Sequence, residues 1–366
     1  MWKGKKMPVI YKDEKNDKLR EKLRYDLLQM PSFVRDYMRA KTDSKETSTR
    51  YAYMLDIRVF LNFLKETRTQ YKDIRLKDME LDVLRNITPN DILDYMEYLD
   101  SYDGSVKKQT NGRAGKKRKL ASLSALYTYF YRQGELSSNP VAAVDLPKVH
   151  HKSVSILQDD EIQSILDAIE SGSVLTRSSR ERFHELTKYR DKAIVILLLS
   201  SGIRVSELVG LNIYDIDFDH PEIDSFGNII YEVVVVRKGG DADKIYIPEE
   251  TVTVLQEYIQ QSRPRLMRSK SDREEPALFL SLRGKRISVG SVEAMIKKYT
   301  ITTVPTKNVH PHIFRKTRGT RLYNDTGDLK LTAEILGDKS LEVVNRHYVA
   351  ESESRKKDAT YKGQKR

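Results

Sequence analysis

Residues 229–248 place the strongest constraint on the fold, because two strand-forming runs, IIYEVVVV and KIYIP, are joined there across KGGDAD. Runs rich in β-branched and aromatic residues on either side of a glycine-containing turn predict a β-hairpin. Elsewhere the apolar residues recur at helical spacing, as in residues 47–66 and 120–132. The predicted fold class is therefore mainly α with a small β-sheet, an α+β protein.

The length of 366 residues corresponds to about two domains. The pattern is helical from Ser32 to Gly134, and the next stretch breaks it with two prolines, several serines and a pair of histidines. Proline disfavours helix in the residue before it, so this stretch is predicted to be a linker. The predicted divisions are an N-terminal extension (1–31), a helical domain (32–134), the linker (135–157), a second domain (158–350) and a C-terminal tail (351–366).

The composition excludes several kinds of chemistry. The chain has no cysteine, which rules out disulfides, thiolate zinc sites and cysteine nucleophiles. None of the seven histidines forms an H-E-x-x-H motif, and no G-x-x-x-x-G-K-[ST] loop occurs, so we expect no metal and no cofactor. No apolar run approaches the about 20 residues that cross a bilayer, and the N-terminus lacks the apolar region of a secretory signal. We therefore expect a cytoplasmic protein without membrane contact.

The charge balance favours a polyanionic partner. Lys and Arg number 65 against 53 acidic residues, a net charge of +12, and nucleic acid is the leading candidate. Residues 105–119 carry seven basic residues and no acidic one. Such a run can be a solvated loop, but it leads directly into an amphipathic helix, which favours a phosphate-contacting surface. The predicted DNA contacts are Lys107, Lys108, Arg113, Lys116, Lys117, Arg118 and Lys119.

Two cationic motifs in the second domain could bind a phosphate group. Arg204 lies near the start of a predicted helix, where a guanidinium can bind two phosphate oxygens, although an ion pair with Glu207 is the simpler alternative. His312 and Arg315 are three residues apart, so one helical turn would bring both to the same face. The alternative for this pair is a salt-bridged helix start.

Four segments together resemble the catalytic domain of the tyrosine recombinases, the phage-integrase and Xer-like family. They are SGIRVSELVGL, VVVVRKGGDADKIYIP, HPHIFRKTRGT and LGDKSLEVVNRHYV, in that order between residues 201 and 349. The helical domain and linker that precede them resemble the core-binding domain of the same family. The resemblance implies a C-shaped clamp around duplex DNA and extends over residues 32–350.

The resemblance also implies roles for single residues. Arg204 matches the first family arginine, Lys238 the hairpin lysine, His312 and Arg315 the H-x-x-R pair, and Tyr348 the nucleophile. Two alternatives stay open at this point: Lys244 in place of Lys238, and Tyr323 in place of Tyr348.

One position departs from the family pattern. Asp338 stands after Leu-Gly, where the family usually has His or Trp. An aspartate is anionic near neutral pH and would repel a phosphate, so we expect Asp338 to support an arginine or a helix N-terminus instead. Glu207 is expected to orient the first arginine's helix rather than to act in catalysis.

The resemblance implies a site-specific recombinase that cleaves and rejoins double-stranded DNA through a 3′-phosphotyrosine intermediate, without metal or ATP. Integration or excision of a mobile element and Xer-like resolution are the roles it suggests. The expected partners are double-stranded DNA, a homotetramer on paired DNA sites, and accessory DNA-bending or directionality proteins, in a nucleoid-associated location. The alternatives are a type IB topoisomerase-like DNA-relaxing enzyme and a catalytically impaired DNA-binding protein of the same fold.

Overall fold

The structure is a computed structural model, and its chain divides into two compact units, residues 1–151 and 152–366. The structure describes residues 11–103, 108–147, 155–179, 183–237, 240–267, 275–338, 340–342 and 344.

The first unit is helical with one very small hairpin. Its helices are α1 (Tyr11–Leu27), α2 (Ser32–Ala40), α3 (Thr47–Thr67), α4 (Asp82–Arg85), α5 (Pro89–Tyr98) and α6 (Arg113–Arg132). Strands β1 (Tyr102–Asp103) and β2 (Lys108–Gln109) pair antiparallel just before α6. Aromatic rings fill much of the core between α3 and α5, where Phe60 and Phe63 contact Tyr95 at centroid distances of 5.0 and 5.3 Å.

Residues on both sides of the predicted helical domain also pack into this first core. Leu23 on α1 and Met30 just after it are buried there, although residues 1–31 were predicted to be an extension. At the other end, Leu136 and Val141 from the predicted linker join the same core. A few apolar side chains in each segment reach the core, and such isolated residues leave no helical repeat in the sequence.

The second unit contains most of the remaining helices and the larger sheet. The helices are α7 (Asp159–Ser171), α8 (Arg177–Ser179), α9 (Glu185–Ser201), α10 (Val205–Gly210), α11 (Glu249–Gln261), α12 (Arg263–Leu266), α13 (Val289–Thr303), α14 (Pro311–Thr326) and α15 (Leu329–Leu336). Buried apolar residues of α9 pack in its core.

The predicted hairpin is present and carries a third strand. Strands β3 (Glu222–Ile223), β4 (Ile229–Val236) and β5 (Ala242–Pro248) form an antiparallel sheet in that order, and Val236 pairs with Ala242 at the turn end. Beyond this sheet, isolated bridges join Ala277 to Asn212 and Leu280 to Arg286. Among the described residues, no helix combines the length and hydropathy that crossing a membrane requires.

Candidate active site

Arg204 is placed by a tight break between two helices. Helix α9 ends at Ser201, Gly202 adopts a φ of +66°, and Arg204 forms the N-cap of α10. A Cβ on Gly202 would lie 2.6 Å from Leu336 Cδ2 and 3.1 Å from Arg318 Cγ, so only glycine fits this approach of α9 to α14 and α15. The break therefore fixes where the Arg204 guanidinium can reach.

The predicted H-x-x-R pair lies on the first turns of α14. Arg315 is 1% exposed, and its Nη1 donates to the carbonyl of Gly202 at 2.8 Å. His312 lies one turn earlier and is exposed. One helix thus presents a buried guanidinium to the end of α9 and carries an accessible imidazole one turn earlier.

Asp338 brings the two arginines together. It follows Gly337, which ends α15 with a φ of +66°. Its Oδ1 lies 2.5 Å from Arg204 Nη2 and 2.7 Å from Arg315 Nη2, and the Asp338 side chain is 10% exposed. A carboxylate between two guanidiniums agrees with the expectation that this residue supports an arginine.

Glu207 extends this arrangement toward the hairpin. Its Oε1 accepts from Arg204 Nη1 at 2.9 Å, and its Oε2 accepts from the Arg204 backbone N–H at 2.9 Å. The same Oε2 accepts from Arg237 Nη1 at 3.2 Å, and Arg237 Nε donates to Asp243 at 2.8 Å. Three guanidiniums and three carboxylates therefore alternate, in an array formed by Arg315, Asp338, Arg204, Glu207, Arg237 and Asp243.

The sequence analysis missed two members of this array, Asp243 and the buried Arg237. Arg237 directly follows the strand run VVVV, where a charged residue resembles an ordinary strand end. The position of Arg237 directly before the family lysine could have drawn attention to it, but nothing in the sequence indicated that the Arg237 side chain is buried.

Two proposed catalytic residues, Lys238 and Tyr348, lie outside the described residues. Their alternatives can be placed. Lys244 Nζ pairs with Glu232 at 2.7 Å. Successive side chains of a strand point to opposite faces, so Lys244 lies on the face of β5 opposite to Asp243, which belongs to the array. Tyr323 lies eight residues after Arg315 on α14, about 12 Å along the helix axis. Tyr323 therefore lies about two helical turns beyond Arg315.

The basic run of the first unit is divided between surface and interior. Lys108, Arg113 and Lys117 are exposed, whereas Lys107 lies outside the described residues. Lys116 Nζ pairs with Asp100 at 2.7 Å. Arg118 and Lys119 both bind Asp56.

Lys119 is not a surface cation, contrary to the prediction that it contacts phosphate. It is 7% exposed, and its Nζ lies 3.0 Å from Asp56 Oδ1. The helical repeat explains this orientation, because position 119 shares a face with the buried Leu123 one turn later. Arg118 is half-exposed, and both of its terminal nitrogens bond to Asp56.

Comparisons with known proteins identify the family of the chain. The phage integrase family model matches residues 155–355. The tyrosine recombinase XerS of Streptococcus thermophilus is 30% identical over 355 residues, which cover 90% of this chain and 95% of that protein. The tyrosine recombinase XerC of Caldanaerobacter subterraneus subsp. tengcongensis is 28% identical over 330 residues, which cover 88% of this chain and 82% of that protein.

Solved structures share the fold at lower identity. The XerH site-specific recombinase bound to a palindromic difH substrate has a TM-score of 0.58 and 17% identity, covering 86% of this chain and 78% of that one. The Tn1549 transposon integrase in complex with circular intermediate DNA also has a TM-score of 0.58 and 17% identity, with coverages of 90% and 99%.

The fold and these comparisons define a class of enzyme, the site-specific recombinases that cleave and rejoin DNA. The chain belongs to the phage integrase family and is a tyrosine recombinase. Among the described residues, no group of three or more His, Asp or Glu side chains is arranged to hold a metal ion.

Proposed function

We propose that this recombinase cleaves double-stranded DNA with Tyr348 as nucleophile and with Arg204 and Arg315 as the cations that bind the scissile phosphate. The observation that carries the proposal is the meeting of the two guanidiniums at one carboxylate oxygen, 2.5 and 2.7 Å away. Guanidiniums fixed in this way are preorganised for the charge that develops on a pentavalent phosphorane. Arginine suits the task because it stays protonated and offers paired donors.

In the proposed cleavage step, Tyr348 Oη forms a bond to phosphorus and gives up its proton, while the bond from phosphorus to the 5′ oxygen breaks. His312 exchanges the proton with the tyrosine, for which its accessible place on the first turn of α14 is suitable. Lys238 donates a proton to the departing 5′ oxygen. The 3′-phosphotyrosine keeps the energy of the phosphodiester bond for rejoining, so the reaction uses neither ATP nor a metal ion.

Asp338 acts in this proposal as a positioning residue for both arginines. Its Oδ1 already accepts from one terminal nitrogen of Arg204, and the Arg204 guanidinium is further fixed by the Gly337 carbonyl at 3.2 Å. The scissile phosphate would then bind the donors of the partly exposed Arg204 that face away from Asp338. This accounts for an acidic residue at a position where the family usually has a donor.

The DNA partner is proposed to contact both units. Lys108, Arg113 and Lys117 are exposed on the first unit and would contact phosphates, which fixes register without reading bases. The proposed divisions remain a helical core-binding domain (32–134), a linker (135–157) and a catalytic domain (158–350), with an extension before and a tail after them. The linker's early residues nevertheless pack in the first core.

We propose a homotetramer on paired DNA sites, assisted by accessory DNA-bending or directionality proteins, in the cytoplasm at the nucleoid. The solved lambda integrase tetramer bound to a Holliday junction, which has a TM-score of 0.53 to this chain, is the precedent for such an assembly. Xer-like resolution has the support of the XerS and XerC relatives. Integration or excision of a mobile element is supported by the fold shared with the Tn1549 integrase.

The test is covalent trapping on nicked suicide substrates made from DNA fragments that flank the gene, without added metal or ATP. We expect an SDS-resistant protein–DNA adduct that Tyr348→Phe abolishes. Tyr323→Phe is the matched control, since it removes the same hydroxyl from the alternative tyrosine and should leave the adduct intact. Sequencing the DNA in the adduct then gives the scissile phosphate.

Three results would contradict the proposal. An adduct that is lost in Tyr323→Phe and kept in Tyr348→Phe would show that Tyr323, and not Tyr348, is the nucleophile. An adduct that formed only with a divalent cation would show that cleavage depends on a metal ion. Tight binding to a mapped recombination site with no adduct would favour a DNA-binding protein that has lost catalysis.

A further inference from the structure

We propose that Arg237 is a positioning residue for the DNA-cleavage step and that it acts through Lys238, the residue that follows it in the sequence. This inference rests on the proposed function, because it assigns Lys238 the donation of a proton to the 5′ oxygen.

The Arg237 side chain joins three elements of the second unit. It is 8% exposed, at the end of β4. Its Nη1 donates to Glu207 on α10 and to the carbonyl of Leu336, and its Nη2 donates to the carbonyl of Ile335, each at 3.2 Å. The last carbonyls of a helix have no partner within the helix, so a guanidinium at the end of α15 both satisfies them and suits the helix dipole.

The packing around Arg237 leaves little freedom. A Cβ on Gly337 would lie 2.5 Å from Arg237 Nε and 2.6 Å from its Cζ, so the guanidinium lies directly against the glycine. Its Nε also donates to Asp243 on β5 at 2.8 Å, which joins the two strands of the hairpin below the turn.

The backbone of Arg237 closes the hairpin turn. Its N–H donates to the Asp241 carbonyl at 2.8 Å, and its own carbonyl accepts from the Gly240 N–H at 3.0 Å. The residue before Lys238 is therefore held through both its backbone and its side chain. Its side chain shares Glu207 with Arg204, and its other α15 partners, the Leu336 and Ile335 carbonyls, directly precede the Gly337 carbonyl that accepts from Arg204.

A general acid on a hairpin turn needs such an anchor. A reacting group displaced by about 1 Å can lose about 10²-fold in rate. Lysine at position 237 would keep the positive charge, but its ammonium cannot match the fork of a guanidinium that bonds Glu207, Asp243 and two carbonyls. We therefore expect Arg237→Lys to misplace the proton donor, while Arg204 keeps its own bonds to Glu207 and Asp338.

The test uses two suicide substrates that differ at one atom of the mapped scissile phosphate. In one the bridging 5′ atom is oxygen, which leaves with a proton taken from Lys238. In the other it is sulfur, which departs as a thiolate and takes no proton. We expect Arg237→Lys to slow adduct formation about 10²-fold on the oxygen substrate and less than about 3-fold on the sulfur substrate.

Two further variants separate positioning from folding. Asp243→Asn removes the charge of one partner of Arg237 at a half-exposed position, so it should fold normally and give a smaller loss with the same dependence on the leaving atom. Arg263→Gln is the matched control, because Arg263 is also a buried arginine bonded to carbonyls, those of Glu275 and Ala277, outside the array. We expect it to change both substrates by the same factor.

Equal losses of Arg237→Lys on oxygen and sulfur would overturn the inference, because a merely structural role slows both reactions alike. Wild-type rates on both substrates would overturn it as well. If the wild-type chain forms no adduct on either substrate, the proposed function fails and the positioning role fails with it. An oxygen-specific loss in a variant whose melting temperature matches that of wild type supports the inference.

Discussion

Both units of this recombinase contain a buried carboxylate that lies between two cations, Asp56 in the first and Asp338 in the second, and the two cases have different consequences. In the first unit Asp56, 1% exposed, binds Arg118 and Lys119, which are consecutive on α6. In the second unit Asp338 binds Arg204 and Arg315, which are far apart in the sequence and come from α10 and α14. The first acid attaches a helix to the core, whereas the second joins separate elements into a site.

The comparison shows that a basic residue in a run of basic residues need not be exposed for contact with DNA. The acid at Asp56 removes Lys119 from the surface and makes it part of the core. The acid at Asp338 leaves Arg204 partly exposed while it fixes the direction of the guanidinium. The same chemical grouping therefore stabilises the fold in one unit and organises the proposed reactive site in the other.

The largest effect is expected from Asp56→Ala. This change leaves the Lys119 ammonium buried without its carboxylate, and breaking a buried pair from one side costs about 3–5 kcal/mol. The free energy of unfolding from urea titration measures it. Asp100→Ala is the matched control, because Asp100 is 63% exposed and its bond to Lys116 should contribute about 1 kcal/mol or less. Equal losses in the two variants would show that Asp56 has no special role.

Asp338→Asn tests the other half of the comparison. The amide keeps the size and an accepting oxygen but loses the charge, and charge-assisted hydrogen bonds are about twice as strong as neutral ones. We expect adduct formation to slow about 10-fold, equivalent to about 1.4 kcal/mol, with a further loss in Asp338→Ala. Cleavage faster than wild type in Asp338→Asn would mean that the carboxylate competes with the phosphate instead of positioning its ligands.

Glu161 provides the simpler case of one carboxylate with one cation. Burial raises the pKa of Glu161. Hydrogen bonds from Lys307 Nζ at 2.6 Å and from the Gln158 N–H lower the pKa by more than burial raises it, so the net pKa lies below its usual value. A lowered folded-state pKa contributes stability above the unfolded-state pKa of about 4.3, and this contribution disappears as the pH falls through the folded-state value.

We therefore expect Glu161→Gln to lower the free energy of unfolding by about 1 kcal/mol at pH 7 and by progressively less below about pH 4. Urea titrations across this pH range measure the difference. Asp159→Asn, which breaks a pair between exposed side chains of Asp159 and Arg321, is the control and should show a smaller loss. A deficit for Glu161→Gln that stays constant down to pH 3 would contradict the assignment.

The smallest effect concerns the basic residues that Asp56 does not bind. Replacing both Arg113 and Lys117 with Gln should weaken DNA binding similarly across sequences and lower the salt slope of the affinity by about 2. Fluorescence anisotropy over a series of salt concentrations measures the slope. Arg85→Gln, at an exposed arginine paired with Asp82, should leave it unchanged. An unaltered salt slope in the double variant would show that this face of α6 does not contact DNA.

Local patterns allowed much of the fold to be predicted. The helix predicted for residues 47–66 corresponds to α3, and the hairpin around KGGDAD formed as expected, because both depend on repeats within a few residues. Helix α1 escaped prediction since its sequence is mostly charged and contributes little more than Leu23 to the core. Tertiary packing stabilises such a helix.

The site was predictable in its residue types but not in its connections. Family segments identified Arg204 and Arg315, yet the contact of Arg204 with Asp338 spans 134 residues and that of Arg237 with Leu336 spans 99. No periodicity encodes such distances. The inward orientation of Lys119, by contrast, could have been found from its helical spacing to Leu123.

The alternation of charges around Asp338 has a consequence for how DNA first arrives. Three guanidiniums matched by three carboxylates produce almost no net field, and whatever field remains is screened beyond about 8 Å at physiological ionic strength. A duplex diffusing toward the protein is therefore steered by the excess of +12 carried elsewhere on the chain. Capture from solution and the bond-breaking event thus depend on separate sets of charges, so ionic strength can change the encounter rate without altering the chemistry.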